Sequence, residues 1–227
     1  MALTLHYHPL SSYCHKLLIA LDELGIEADK RLVNLGDPAE RAAFVALWPT
    51  GKMPLLVDNG RVVPETSIAI EYLQRHAQPG RRLIPDEPDA ALDVRLWDRL
   101  FDLYVMTPMQ AHTSDLLRPE ADRDPINVAE AKAKLLMAYG LIDRQLAGRT
   151  WVTGEAFTMA DCAAAPSLFY AVTCVAPPPE HRHLAAYIER LLARPSVART
   201  LEQARPFFKF YPGRAGLAKR FYDPATV

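Results

Sequence analysis

The segment Pro79-Gly80-Arg81-Arg82-Leu83-Ile84-Pro85-Asp86-Glu87-Pro88 holds three prolines and a glycine, residues that interrupt both helices and central strands. The break matters because the patterns on its two sides differ. Before it, strand and helix signals alternate. Beyond it helices recur and no strand is convincing. The expectation is an α/β unit over residues 1–78, a linker over 79–88 and an all-helical unit over 89–227. A chain of 227 residues lets each unit bury its own core.

Within the first unit, Leu3 to Tyr7 alternates as a strand. Pro9-Leu10-Ser11-Ser12 follows, then a helix with Leu17, Leu18, Leu21 and Leu24 on one side and Gly25 placed to end it. Ala28 to Val33 is a second extended run. Asp37-Pro38-Ala39-Glu40 supplies a cap, a first-turn proline and an acid for a helix to about Leu47. Pro54 to Val57 and Arg61 to Val63 read as strands joined at Asn59-Gly60, a tight-hairpin signal. Glu65-Thr66 opens a helix through about Ala77. Such an order gives a mixed sheet with helices on its faces and a right-handed βαβ crossover.

In the second unit a long helix from about Asp89 carries Val94, Trp97, Phe101, Tyr104 and Val105 at helical spacing, and Pro108 is expected to kink or end it. Asn127-Val128-Ala129-Glu130 reads as a capping box for a helix to about Leu146. Thr158-Met159-Ala160-Asp161 starts another, and Ser196 is the expected cap of a last one.

Lys and Arg total 26 against 27 Asp and Glu, so no global field draws the chain to nucleic acid or anionic lipid. No apolar run approaches the roughly 20 residues that span a bilayer. The first residues lack the basic flank and apolar stretch of a signal peptide. Cys14, Cys162 and Cys174 are too few and too scattered for a disulfide framework. A cytoplasmic setting is the expectation. His6 with His8, and His181 with His183, lack a carboxylate at ligand spacing, so no metal is expected.

Ser11 sits where the first strand gives way to the first helix. There its hydroxyl can cap the helix, and free N–H groups and the positive dipole end stabilise an anion without metal. Ser11-Ser12-Tyr13-Cys14 resembles the Cys-x-x-Cys of thioredoxin-like oxidoreductases with the first cysteine replaced, so the dithiol nucleophile is gone while the anion site stays.

Four stretches, in order along nearly the whole chain, resemble the cytosolic glutathione transferase family. Ser11-Ser12-Tyr13-Cys14-His15-Lys16 is similar to its N-terminal serine motif, especially in the theta and zeta branches. Gly51-Lys52-Met53-Pro54-Leu55-Leu56 is similar to its cis-proline segment. Glu65-Thr66 with Ile70-Glu71-Tyr72-Leu73 resembles its Glu-Ser motif, with threonine where serine is usual. Thr158-x-x-Asp161 resembles the capping box of its helical domain.

The resemblance implies a thioredoxin-like N-terminal domain, an all-helical C-terminal domain and a homodimer. It implies glutathione as substrate, with Ser11 donating to the sulfur. The backbone of Met53, before a cis Pro54, would pair with the cysteinyl main chain. Glu65 and Thr66 would hold the γ-glutamyl end, and Lys52 would lie near a carboxylate. The partner substrate would be a hydrophobic electrophile. Lowering a thiol pKa of about 8.5 by two units takes roughly 2.7 kcal/mol. A hydrogen bond to a charged group supplies about 1.5–3 kcal/mol and the helix end about 0.3–1 kcal/mol. Ser11 therefore needs only to donate a hydrogen bond to the sulfur and need not be a nucleophile.

Plainer readings stand beside these: Ser11 and Glu65-Thr66 as simple helix starts, Pro54 as a loop proline, Cys14 as a core thiol. Tyr7 and Tyr13 are alternative activating hydroxyls. Tyr104, Met106 and Met109 either line the second-substrate pocket or belong to the core. The tail Arg205-Pro206-Phe207-Phe208-Lys209-Phe210-Tyr211-Pro212 either covers that pocket or packs as surface. Competing functions are a zeta-type glutathione-dependent isomerase, thiol–disulfide or peroxide chemistry, and a non-catalytic glutathione-binding or interaction protein.

Overall fold

The structure is a computed structural model describing residues 3–222. The N-terminal domain holds strands β1 (Leu3–Tyr7), β2 (Asp29–Leu32), β3 (Leu55–Asp58) and β4 (Arg61–Val63), with helices α1 (Ser12–Leu24), α2 (Pro38–Leu47) and α3 (Thr66–Gln74). The sheet order is β2-β1-β3-β4. β1 pairs parallel with β2 and antiparallel with β3, and β4 closes the edge antiparallel to β3. This mixed four-stranded sheet with its helices is the thioredoxin-like arrangement. Asn59 (φ 48°) and Gly60 (φ 84°) both take the positive φ that a two-residue hairpin of matching twist demands.

Helices α4 (Pro88–Leu100), α5 (Thr107–Leu116), α6 (Pro125–Gln145), α7 (Met159–Ala171), α8 (Arg182–Ala193) and α9 (Pro195–Ala204) build the C-terminal domain. Every residue of α7 is buried, which explains an apolar pattern with no polar face. Its start is fixed by Asp161, which accepts from the Thr158 and Val152 N–H groups and from the Thr158 and Tyr187 hydroxyls. α1 packs on α3 and also on α7 and α9, so the main core runs continuously through both domains.

The structure corrects two expected boundaries and narrows a third, the kink or end read at Pro108. α6 begins at Pro125 rather than after Asn127, because Asp124 caps it through the N–H groups of Ile126 and Asn127 with a proline in the first turn. Ser196 does not cap α9: it lies inside the helix, and its buried hydroxyl donates to Glu23 of α1 (2.5 Å). Pro108 does not end its helix. A π-helical turn over Phe101–Met106 joins α4 to α5, and the Thr107 N–H reaches back to the Asp102 carbonyl. The wider turn accommodates a proline that lacks an N–H and crowds the carbonyl four residues earlier. α8 carries no start signal read from the sequence.

Described residues 205–222 run as short 3-10 turns against α7, burying Phe208, Tyr211 and Leu217. Phe169 meets Phe221 edge to face and Phe208 at a tilt, and Tyr170 packs at a tilt on Tyr211. None of these tail residues lines the cleft described next.

Candidate active site

A cleft of about 840 Å³ lies between the two domains. Its N-terminal wall holds Ser11, Lys52, Met53, Pro54, Glu65 and Thr66, so all six residues singled out by the motifs line one cavity. Two helix N-termini open onto it. Ser11 caps α1 (φ −79°, ψ 118°), its oxygen accepting the Cys14 N–H at 3.3 Å. Glu65 precedes α3 at φ 65°, ψ 121°, and its side chain caps nothing. A non-glycine residue held there costs on the order of 1–3 kcal/mol, a strain that concentrates at functional sites. The convergent N–H groups and dipole ends favour anionic groups in the cleft. The Met53–Pro54 bond that carries the chain into β3 is cis.

The loop bearing Ser11 is braced from behind. The Ser11 N–H donates to the His8 carbonyl, and the Leu10 N–H to His8 Nδ1. His15 Nε2 meets the Pro9 carbonyl at 2.6 Å, a contact that needs the proton on this nitrogen. Burial pushes the His15 imidazole down to about 4, so the ring stays neutral in this role. Burial likewise pushes the Cys14 thiol up to about 12, outweighing the hydrogen bonds from Ser11 and His8. Cys14 is fully buried and takes the part of a core thiol. Burial raises Tyr7 and Tyr13 as well, and only Tyr13 lines the cleft.

The helical wall holds residues that sequence reasoning missed: Arg95, Asp98, Arg99, Asp102, Thr107 and Gln110. Beneath it Lys16 is fully buried, its ammonium 2.6 Å from Asp98 and 2.9 Å from Asp102, and it donates to the Ser67 hydroxyl at 3.0 Å. Ser67 in turn donates to Asp98 (2.6 Å). This cluster ties α1 and α3 to the α4 wall. Arg95 forms a bidentate pair with Glu71 (2.8 and 2.9 Å) and holds that carboxyl below its ordinary range. No local signal could have revealed Lys16–Asp102, separated by 86 positions.

Tyr104, Met106 and Met109 are not brought to the cleft. Tyr104 borders a shallow crevice against α6, while Met106 and Met109 are buried. The cause is the π-turn. Counting from Asp98 and Asp102 at three-to-four spacing, an uninterrupted helix would put Met106 and Met109 on the cleft stripe. One extra residue in the turn advances the register, and Thr107 and Gln110 occupy those places.

Among the described residues no group of three or more His, Cys, Asp or Glu gathers to hold a metal, and no helix is long and apolar enough to cross a membrane. The model of the glutathione S-transferase N-terminal domain matches residues 10–76, and that of the C-terminal domain residues 102–195. A glutathione S-transferase of Pseudomonas putida is 28% identical over 159 residues, 70% of each chain. Glutathione S-transferase 3 of Zea mays is 29% identical over 212 residues, covering 88% of this chain and 93% of its own. A glutathione S-transferase from Methylobacillus flagellatus, solved with glutathione bound, superposes with a TM-score of 0.79 at 28% identity, covering 88% of this chain and 98% of that one. With both of its domain models matched over most of the chain and the interdomain cleft lined by its motifs, the protein belongs to the glutathione S-transferase family.

Proposed function

We propose that the chain binds glutathione in the interdomain cleft and joins it through its sulfur to an electrophilic small molecule. The observation that carries this reading is the convergence of Ser11 at the start of α1 with Glu65 and Thr66 at the start of α3 on one cavity. Ser11 donates a hydrogen bond to the sulfur, and the α1 N-terminus adds its dipole, so the bound thiol loses its proton near neutral pH. Thr66 and the first N–H groups of α3 hold the γ-glutamyl carboxylate, and Glu65 takes the adjoining ammonium. Lys52 pairs with the glycyl carboxylate, and the Met53 backbone with the cysteinyl main chain. The thiolate then forms a C–S bond to the electrophile. In a substitution the leaving group departs with the electron pair of the bond it breaks.

Exposed Leu92, Leu96 and Leu103 follow one another at helical spacing along α4 and the π-turn. These side chains supply an apolar face for a second copy, which supports a homodimer.

The test is ultraviolet titration with glutathione, following thiolate absorbance in wild type and Ser11→Ala. Saturable binding with thiolate near neutral pH is expected, and the mutant loses about 1.5–3 kcal/mol of thiolate stabilisation, a tenfold or greater shift. Absence of binding at millimolar glutathione would sink the enzyme reading. An isomerase would instead turn over without net consumption of glutathione.

A further inference from the structure

The electrophile expected from the sequence is hydrophobic, yet the helical wall that the π-turn presents is polar. Arg99, Thr107 and Gln110 face the cleft where Met106 and Met109 would otherwise lie, and Arg99, Thr107 and Gln110 are all exposed. The cations of this cleft are not equivalent. Arg95 is held by both oxygens of Glu71. Arg99 has only a 3.7 Å approach to Asp102, too long for a hydrogen bond. That carboxyl already has both oxygens on Lys16 (3.1 and 2.9 Å). Asp98 is likewise engaged by Lys16 and Ser67, so the buried acids are answered from below and the arginine is left facing the cavity. The Thr107 hydroxyl donates to the Asp102 carbonyl and keeps only acceptor capacity. The Gln110 amide and the Tyr13 hydroxyl remain as neutral donors lining the same cleft.

We propose that the second substrate carries an anionic oxygen group, a carboxylate, which pairs with Arg99 and accepts from Gln110 while its electrophilic carbon faces the sulfur held at Ser11. This rests on the transferase reading above, in which the two glutathione carboxylates are met by Lys52 and by the start of α3, leaving Arg99 for the partner molecule.

The test compares a chlorodinitrobenzoate with its methyl ester, two probes of similar size that differ in charge. In each reaction the C–S bond forms, the C–Cl bond breaks and chloride leaves, the thiol proton having gone to solvent. Rates are divided by the uncatalysed rate with glutathione, which removes the ester's own reactivity. The acid is expected to be favoured in kcat/KM by about tenfold or more, the range of a charge-assisted hydrogen bond. Arg99→Gln should abolish that preference, with the KM for glutathione and the thiolate absorbance unchanged. Gln110→Leu should shift selectivity toward the ester. Equal use of acid and ester, or preference for the ester, overturns the proposal and leaves the transferase reading intact. An Arg99→Gln effect that falls on glutathione affinity assigns this arginine to glutathione and also overturns it. No turnover of either probe together with no thiolate signal sinks both readings.

Discussion

Replacing Lys16 by methionine keeps an unbranched side chain one atom shorter and removes the cation that answers two buried carboxylates. Lys16 is fully buried, and Asp98 and Asp102 are 1% and 4% exposed, so neither acid can turn to water without opening the domain junction. The ammonium makes contacts of 2.6 Å to Asp98 and 2.9 and 3.1 Å to Asp102, plus one to Ser67. Breaking such a pair by deleting one partner costs about 3–5 kcal/mol, chiefly through the stranded charge. For a chain of this size that is on the order of 10 °C in Tm. The sign of the pH dependence follows from Asp102, whose carboxyl burial already raises while Lys16 pulls it down. Without Lys16 the Asp102 carboxyl rises further. The folded state then holds protons that the unfolded chain releases near pH ~4, and stability falls as pH increases above that value. Urea unfolding of wild type and Lys16→Met at several pH values would show a deficit that is largest near neutrality and shrinks toward pH ~4. Adding Asp98→Asn should restore part of the loss. A deficit under about 1 kcal/mol, or one constant with pH, would refute the claim that Lys16 compensates buried charge.

His15→Leu leaves the Pro9 carbonyl without its donor and should raise the pKa of glutathione bound at Ser11, by ultraviolet titration, whereas His15→Gln retains a donor and should restore it. Because burial lowers the folded His15 to about 4, wild-type stability should decline as pH falls from about 6.5 toward 4, and less steeply in His15→Gln. Asp161→Ala removes four hydrogen bonds from a buried carboxyl and should cost about 2–4 kcal/mol in denaturant unfolding, with Asn intermediate. Cys14, Cys162 and Cys174 are all buried with thiols raised by burial, so iodoacetamide should label none of them in the native protein and all three in urea, by mass spectrometry.

Local chemistry made much of this molecule legible. Asn59-Gly60 specifies its turn because few other dipeptides accept positive φ twice. Gly25 ends α1, Asp37-Pro38 starts α2 and Thr158 with Asp161 starts α7, since a cap and its partners lie within one turn of chain. The N-terminal wall of the cleft was readable for the same reason, each motif sitting at the start of a helix or strand. Even locally, competing caps misled: Asp124-Pro125 outranked Asn127, and Ser196 found Glu23 across the domain junction instead of its own helix end. The helical wall was not readable. Lys16, Asp98 and Asp102 meet only because α1 packs against the second domain, and nothing near any of them announces the pairing. The π-turn decided the rest. The sequence supplied methionines and polar residues one position apart on the same helix, and a single inserted residue at Pro108's approach determined which set meets the substrate. Periodicity reports the stripe a regular helix would present, while the register past an irregular turn is set by the packing that selects the turn.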